Sequence, residues 1–192
     1  IYDRFRNRLI VPIHDMQGRV VAFGGRSLDG QEPKYLNSPE SEIFEKGKML
    51  FAFEKASSDI RKRDKAIIVE GYFDVISLHS KGITNSVASL GTALNKYQIS
   101  QLCRCTDNKN IILNFDSDNA GILATKRVIK EVESLSLHDQ INLKILQLSD
   151  FKDPDEYLNS HTPEDYFNLI DNSSFWIDWE IDQIFKDKDL TK

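Results

Sequence analysis

The stretch NIILNFDSDNAG at residues 110–121 decides the fold, because it joins an apolar strand to a polar loop that leads into a helix. The apolar run up to Phe115 is the strongest candidate for a buried strand, and residues 120–134 carry apolar side chains at helical spacing. Asp116 and Asp118 follow the strand directly, where alternate side chains point the same way. The sequence therefore predicts a strand, loop and helix with two carboxylates at the carboxyl end of the strand.

The same alternation of strand and helix extends to both sides of this unit. Alternating strands and helices are typical of an α/β fold with a parallel sheet, whose ligands bind beyond the carboxyl ends of the strands. The strand-like runs are residues 66–69, 86–90 and 142–148, and the helix-like runs are residues 73–80 and 96–103. We therefore predict a mainly parallel sheet with flanking helices in the middle of the chain.

Charge divides the chain into three regions. Residues 1–65 hold 13 Lys and Arg against 10 Asp and Glu, whereas residues 150–192 hold 4 against 12. The first region also contains two β-type runs around a turn at residues 15–18, and the last has apolar side chains at mostly helical spacing. We predict a partial basic α+β subdomain at residues 1–65, a catalytic domain at residues 66–158 and a helical segment at residues 159–192.

The overall composition excludes several classes of protein. The 192 residues are 40% hydrophobic and 29% charged, with a net charge of −5, which is typical of a globular domain. No apolar run approaches the roughly 18 residues that a membrane span needs, and no signal-peptide pattern is present, so we expect a cytoplasmic protein without a membrane partner. Cys103 and Cys105 lack further ligands at zinc spacing. The start at Ile1 rather than Met suggests a piece of a longer protein.

Acidic residues follow three strands of the predicted sheet, near the point where each strand ends. Carboxylates gathered at one edge would repel each other and raise each other's pKa unless a cation neutralised them. Oxygen ligands without His or Cys favour Mg²⁺ or Mn²⁺, the ions of metal-assisted phosphoryl or nucleotidyl transfer. The six residues are Glu70 and Asp74, Asp116 and Asp118, and Asp153 and Asp155.

Two of the three pairs also have a purely structural interpretation. Residues 116–121 could form a turn and a helix N-cap, and residues 153–155 could cap a helix with proline in its first turn. The occurrence of three acidic pairs at strand ends of one alternating unit favours the metal site.

These motifs resemble the TOPRIM domain, a Rossmann-like fold shared by bacterial primases, type IA and type II topoisomerases and some nucleases. The matching strings are EGYFD at 70–74, ASLGT at 88–92, DSDNAG at 116–121 and DPD at 153–155. The flanking strings RFRNR at 4–8, FGGR at 23–26 and PKYLNSPE at 33–40 are similar to the region before TOPRIM in DnaG-type replicative DNA primases. The resemblance spans about residues 3–158.

The resemblance implies roles for individual residues. Glu70, Asp74, Asp116 and Asp118 would be catalytic, and Glu70, Asp116, Asp118, Asp153 and Asp155 would bind the metal. Arg26, Lys34 and Asn37 would hold nucleotide phosphates or template. Ser117 and Asn119 stand where the family commonly has Gly and a basic residue, which affects local phosphate contacts more than the metal ligands.

The implied activity is DNA-templated synthesis of short RNA primers from nucleoside triphosphates, with Mg²⁺ or Mn²⁺ and without zinc in this part of the protein. The implied partners are single-stranded DNA, nucleoside triphosphates and the RNA primer, at the bacterial replication fork. A full-length relative would also have a zinc-binding domain and bind the replicative helicase, and the corresponding regions are absent from this sequence. Two alternatives remain open, namely a TOPRIM nuclease or topoisomerase fragment that cleaves DNA with the same metal site, and a noncatalytic nucleotide-binding module.

Overall fold

The computed structural model describes residues 3–135, 140–148 and 150–189. Strands and helices alternate through the middle of the chain, as the sequence predicts. In chain order the elements are β1 (Arg8–His14), β2 (Val20–Ser27), β3 (Tyr35–Asn37), a 3₁₀ helix (Lys46–Lys48), α1 (Phe53–Arg63), β4 (Ala66–Val69), α2 (Tyr72–Ser80), β5 (Ser86–Ala88), α3 (Lys96–Cys103), β6 (Asn110–Asn114), α4 (Asn119–Glu133), β7 (Asn142–Ile145), α5 (Pro154–Leu158), α6 (Pro163–Asp171), β8 (Ser174–Phe175) and α7 (Trp176–Asp189).

The central sheet has the strand order β5-β4-β6-β7-β8. The first four strands in this order are parallel, and β8 pairs with β7 in the antiparallel direction. This topology confirms the prediction of an α/β fold with a mainly parallel sheet. The sequence analysis missed β8, because a two-residue strand is too short to show a periodicity.

Both faces of the central sheet are covered at β4, whose four residues are all apolar and buried. In β4, Ile67 and Val69 belong to a core cluster on one face, which also includes Val11 and Ile13 of β1. Ile68 packs into a second cluster with side chains of α1, α3 and α4. Parallel sheets are buried in this way because their crossover helices cover both faces.

Residues 8–37 contain a second sheet, in which β1, β2 and β3 are antiparallel and in that order. The predicted turn between β1 and β2 is confirmed: Asp15 Oδ1 accepts hydrogen bonds from the backbone N–H groups of Gln17 and Arg19, and Gly18 has a φ of 77°. β3 was not predicted from the sequence. Its three residues pair with the end of β2, which brings Arg26 opposite Tyr35.

The two sheets are packed against each other rather than linked loosely. The shared core cluster described above joins them, since it holds side chains of β1 and of β4. The chain between the first sheet and α1 is also attached to the central sheet, because the N–H of Phe51 donates to the carbonyl oxygen of Ala88 at the end of β5, at 2.8 Å. The division of the chain at residues 65 and 158 stays a prediction.

The C-terminal helices support the carboxyl end of β6. Tyr166 of α6 is fully buried, and its hydroxyl donates to Asn114 Oδ1 at 2.7 Å. Asn114 in turn donates from Nδ2 to the carbonyl oxygen of Leu146 at 3.2 Å. These bonds fix the last residue of β6, two positions before Asp116. Within the described ranges, no helix has the length and apolar character needed to cross a membrane.

Candidate active site

A cavity of about 720 Å³ opens at the carboxyl ends of β4, β5 and β6. Five of the six predicted carboxylates line it, together with the three residues predicted to hold nucleotide or template. The carboxylates are Glu70, Asp74, Asp116, Asp153 and Asp155, and the other three are Arg26, Lys34 and Asn37. The fold thus brings eight residues from distant parts of the sequence into the lining of one cavity.

Asp118 is placed differently from the other acids. It is exposed, it does not line the cavity, and its Oδ1 accepts a hydrogen bond from the N–H of Gly121 at 2.9 Å. Asp118 is therefore the N-cap of α4, which is the structural interpretation that its sequence allowed. Its charge still raises the pKa of Asp116, so it lies near the cavity. A role for Asp118 as a metal ligand stays a prediction.

Backbone N–H groups orient three of the cavity carboxylates. Glu70 accepts from the N–H of Asp116 at 3.0 Å, and Asp74 accepts from the N–H of Gly71 at 2.9 Å. Asp153 caps α5 by accepting from the N–H of Glu156 at 2.9 Å. Each of these bonds uses one carboxylate oxygen, and the second oxygen is available for another ligand.

The cavity acids destabilise one another in their charged forms. Burial, together with the neighbouring charges of Asp153, Asp116 and Asp155, raises the pKa of Asp74 to about 6, against the hydrogen bond from Gly71. Burial also raises the pKa of Asp116 and of Glu70. The site therefore holds more negative charge than its own groups neutralise, although Lys152 and Lys34 lower the pKa of Asp116.

The donor set of the cavity fits a hydrated hard cation. Among the described residues, no three His, Cys, Asp or Glu side chains lie close enough together to form a complete metal cage. Mg²⁺ rarely needs such a cage, because it keeps several waters and binds through one or two carboxylates and the phosphates of a substrate. The carboxylates of the partly buried cavity repel each other and can supply such oxygen ligands. The described residues that line the cavity include no His or Cys, which are the typical ligands of zinc.

Basic and aromatic side chains form another wall of the cavity. The guanidinium carbon of Arg26 lies 4.9 Å from the ring centroid of Phe73, and Lys34 Nζ lies 5.5 Å from that of Tyr35. Tyr35 also packs edge to face on Tyr72, with ring centroids 5.8 Å apart. The stacking limits the freedom of both cationic side chains, which line the same cavity as the acids.

Asn37 joins the two sheets beside this wall. Its Nδ2 donates to the carbonyl oxygen of Leu90, in the loop after β5, at 3.0 Å. Its Oδ1 is buried and has no hydrogen-bond partner among the described residues. Asn37 can therefore still accept a hydrogen bond from a ligand.

Several polar residues that line the cavity were not predicted from the sequence, including Lys152 and Ser77. Lys152 lines it and lowers the pKa of Asp116, and its position next to Asp153 was the available signal. Ser77 also lines it, one helical turn after Asp74, and donates from Oγ to Asp155 Oδ1 at 2.6 Å. The contact spans 78 residues, so the sequence gives no direct sign of it.

Replacing Asp74 by asparagine is expected to stabilise the metal-free protein at pH 8. The folded-state pKa of Asp74 is about 6 against an ordinary value of 3.8, so folding disfavours its charged form and stability falls as the pH rises through this window. The asparagine side chain would keep the bond to Gly71 without the charge. We expect a gain of about 1–3 kcal/mol in the free energy of unfolding at pH 8.

The gain should largely disappear below about pH 3.5, where the carboxyl of Asp74 is mostly neutral in both states, and should shrink when Mg²⁺ is added. Urea denaturation followed by circular dichroism measures both effects. A variant that is no more stable than the parent at pH 8 would contradict the electrostatic description of the cavity.

Two family models match the chain. The model for the N-terminal domain of the DNA primase catalytic core matches residues 1–57, and a Toprim-like model matches residues 67–158. A DNA primase of Synechococcus elongatus is 56% identical over 98% of this chain and 27% of its own length. A DNA primase of Synechocystis is 50% identical over 98% of this chain and 30% of its own length. The chain therefore spans less than a third of these curated relatives.

Solved structures of high similarity give the same result. A DNA primase domain from Pseudomonas aeruginosa superposes with a TM-score of 0.88, at 37% identity over 97% of this chain and 57% of that one. The Escherichia coli primase catalytic core gives a TM-score of 0.85, at 36% identity over 97% of this chain and 58% of that one. A DnaG primase catalytic domain bound to single-stranded DNA gives 0.80, at 38% identity over 91% and 55%.

Proposed function

Because the chain belongs to the DNA primase family, we propose that it is part of the catalytic core of a bacterial primase and joins ribonucleotides on a single-stranded DNA template. The observation that carries this proposal is the composition of one cavity. Five carboxylates line the same cavity of about 720 Å³ as Arg26, Lys34 and Asn37. A nucleoside triphosphate with its metal ions needs both kinds of group in the same place.

The carboxylates would hold the divalent ion. Asp116, Asp153 and Asp155 are the proposed ligands, directly or through water, and Glu70 and Asp74 lie beside them. When bound, Mg²⁺ or Mn²⁺ lowers the pKa of the attacking 3′-hydroxyl and neutralises the charge of the leaving pyrophosphate. Glu70 is either a further ligand or the group that accepts the proton of the hydroxyl, and burial, followed by the charge of Asp116, raises the pKa of its carboxyl.

The basic wall would hold the substrate. Arg26 and Lys34 are proposed to bind the triphosphate or the template backbone, and their stacking on Phe73 and Tyr35 limits the conformational entropy lost on binding. Asn37 would accept a hydrogen bond at its free Oδ1. These groups orient the α-phosphate for attack in line with the leaving group.

The wider setting is also part of the proposal. A single-stranded DNA template, nucleoside triphosphates and the RNA primer would be the direct partners, and one structural relative is described as bound to single-stranded DNA. The zinc-binding domain and the replicative helicase would act with the full-length protein in the bacterial cytoplasm. The acidic C-terminal region suggests that this chain by itself binds template weakly.

Parallel assays of synthesis and cleavage test the proposal. The full-length protein is incubated with Mg²⁺, labelled ribonucleotides and single-stranded DNA, and in a second reaction with labelled duplex and single-stranded DNA alone. We expect short RNA products and no cleavage. DNA cleavage without ribonucleotide incorporation would instead support the nuclease or topoisomerase alternative.

A further inference from the structure

Ser77 lies on the face of α2 that borders the cavity. Asp74 and Ser77 are three residues apart, so they are neighbours on the same face of the helix, and both line the cavity. Asp74 is tied to its own helix through the N–H of Gly71, whereas Ser77 bonds to a different element. Ser77 is thus an uncharged polar residue among the carboxylates that line the cavity.

The bond from Ser77 to Asp155 connects α2 to α5. Ser77 Oγ donates to Asp155 Oδ1 at 2.6 Å, which is a short distance typical of a hydroxyl bonded to a carboxylate. Among the described residues, Ser77 is the hydrogen-bond donor to the Asp155 carboxylate. The bond goes to Oδ1, and no described residue donates to Oδ2.

The rest of α5 is fixed by bonds that do not involve the side chain of Asp155. Asp153 caps the helix through the N–H of Glu156, and Glu156 Oε2 accepts from the N–H of Lys152 at 2.7 Å. Asp155 is exposed on this five-residue helix, so its side chain would otherwise be free to choose among rotamers. Ordering such a side chain on metal binding costs conformational entropy.

We propose that Ser77 is a positioning residue that holds the Asp155 carboxylate at the cavity, beside Asp74, with Oδ2 directed to a divalent cation. The inference rests on the proposed function, because it assumes that Asp155 is a metal ligand. Groups that orient a metal ligand through a hydrogen bond typically contribute about tenfold or more to metal affinity. The same hydrogen bond limits the positions at which the Asp155 carboxylate can bind a cation.

Mn²⁺ titration of the chain, followed by the loss of the free-ion electron paramagnetic resonance signal, tests this proposal without nucleotide or turnover. For Ser77→Ala we expect a dissociation constant about tenfold higher than that of the parent. Ser77→Thr keeps the hydroxyl and should bind Mn²⁺ nearly as the parent does. Ser80→Ala is the matched control, since Ser80 Oγ donates to the backbone carbonyl of Ser77 and, among the described residues, to no acid.

A double-mutant cycle separates this inference from the proposed function. If Asp155→Asn weakens Mn²⁺ binding, Ser77→Ala should add little when it is combined with Asp155→Asn, because its effect acts through that carboxylate. Equal Mn²⁺ affinity for the parent and Ser77→Ala, with weaker binding by Asp155→Asn, would overturn the role of Ser77 only. Unchanged affinity for Asp155→Asn would overturn the metal role of Asp155 itself.

Thermal melting with and without Mn²⁺ distinguishes a positioning role of Ser77 from a purely stabilising one. Alanine is a better helix former than serine, so Ser77→Ala should fold, and its melting temperature without metal should match that of Ser80→Ala within a few degrees. The expected difference appears when Mn²⁺ is added, as a smaller rise in melting temperature for Ser77→Ala. A lower melting temperature with an unchanged response to Mn²⁺ would mean that the hydrogen bond is only structural.

Discussion

Asp116→Asn is expected to reduce ribonucleotide incorporation by about a thousandfold, the largest effect on activity that we expect from a single substitution. Asp116 follows β6, lines the cavity, and is close enough to Asp153, Lys152 and Lys34 for their charges to shift its pKa. Loss of this carboxylate would remove several kcal/mol of the charge stabilisation that a bound metal supplies to the transition state. The change keeps the size of the side chain, so folding should be preserved.

Primer synthesis and nucleotide binding are measured together on Asp116→Asn in the full-length protein. Binding of the nucleoside triphosphate through Arg26 and Lys34 should persist while synthesis is lost. Asp178→Asn, at an exposed position in the first turn of α7, is the control and should be fully active. Synthesis at the parental rate by Asp116→Asn would contradict a catalytic role for Asp116, whereas a parent protein that binds the nucleoside triphosphate without any synthesis would favour a noncatalytic nucleotide-binding module.

Gly121→Ala is expected to lower the free energy of unfolding by about 3 kcal/mol or more. A Cβ atom at Gly121 would lie 2.0 Å from the backbone oxygen of Asp116 and 2.8 Å from Glu70 Oε1. Either the backbone at Asp116 or the start of α4 would have to move to relieve this overlap. Both are held in place by their own contacts, so the movement would cost stability. The same movement would displace two carboxylates of the cavity, so activity should fall as well.

Chemical denaturation of Gly121→Ala and Gly47→Ala checks this expectation. Gly47 is the matched control, since a Cβ there meets only the end of the Asn95 side chain, at 3.3 Å. We expect Gly47→Ala to change the free energy of unfolding by less than about 1 kcal/mol. Equal stability of the two variants would show that the loop between β6 and α4 is not as tightly packed as described.

The central sheet could be predicted from the sequence because its burial leaves a clear pattern. The strands around Ile67 and Ile112 are buried on both faces, so they appear in the sequence as short apolar runs between helical segments. β3 was missed because its three residues have no pattern of their own and pair only because the end of β2 offers an edge. Tertiary pairing, rather than local preference, decides such short strands.

The candidate site was predictable where it follows the strand ends and less so elsewhere. Asp74 and Asp116 were identified because the carboxyl ends of parallel strands converge. Asp118 shows the limit of this reasoning, since the same residue type is also a preferred N-cap and the structure uses it as one. Ser77 depends on a contact between α2 and α5 that only the folded chain creates.

The central claim is that this cavity binds a divalent ion and a nucleoside triphosphate together. Anomalous diffraction from a crystal soaked in millimolar Mn²⁺ and a nucleoside triphosphate tests it most directly. We predict a Mn²⁺ peak about 2.1 Å from a carboxylate oxygen of Asp116 or Asp155, with the triphosphate in contact with Arg26 or Lys34. A crystal that shows the triphosphate without a metal peak in the cavity, or Mn²⁺ only at other surfaces, would contradict the account.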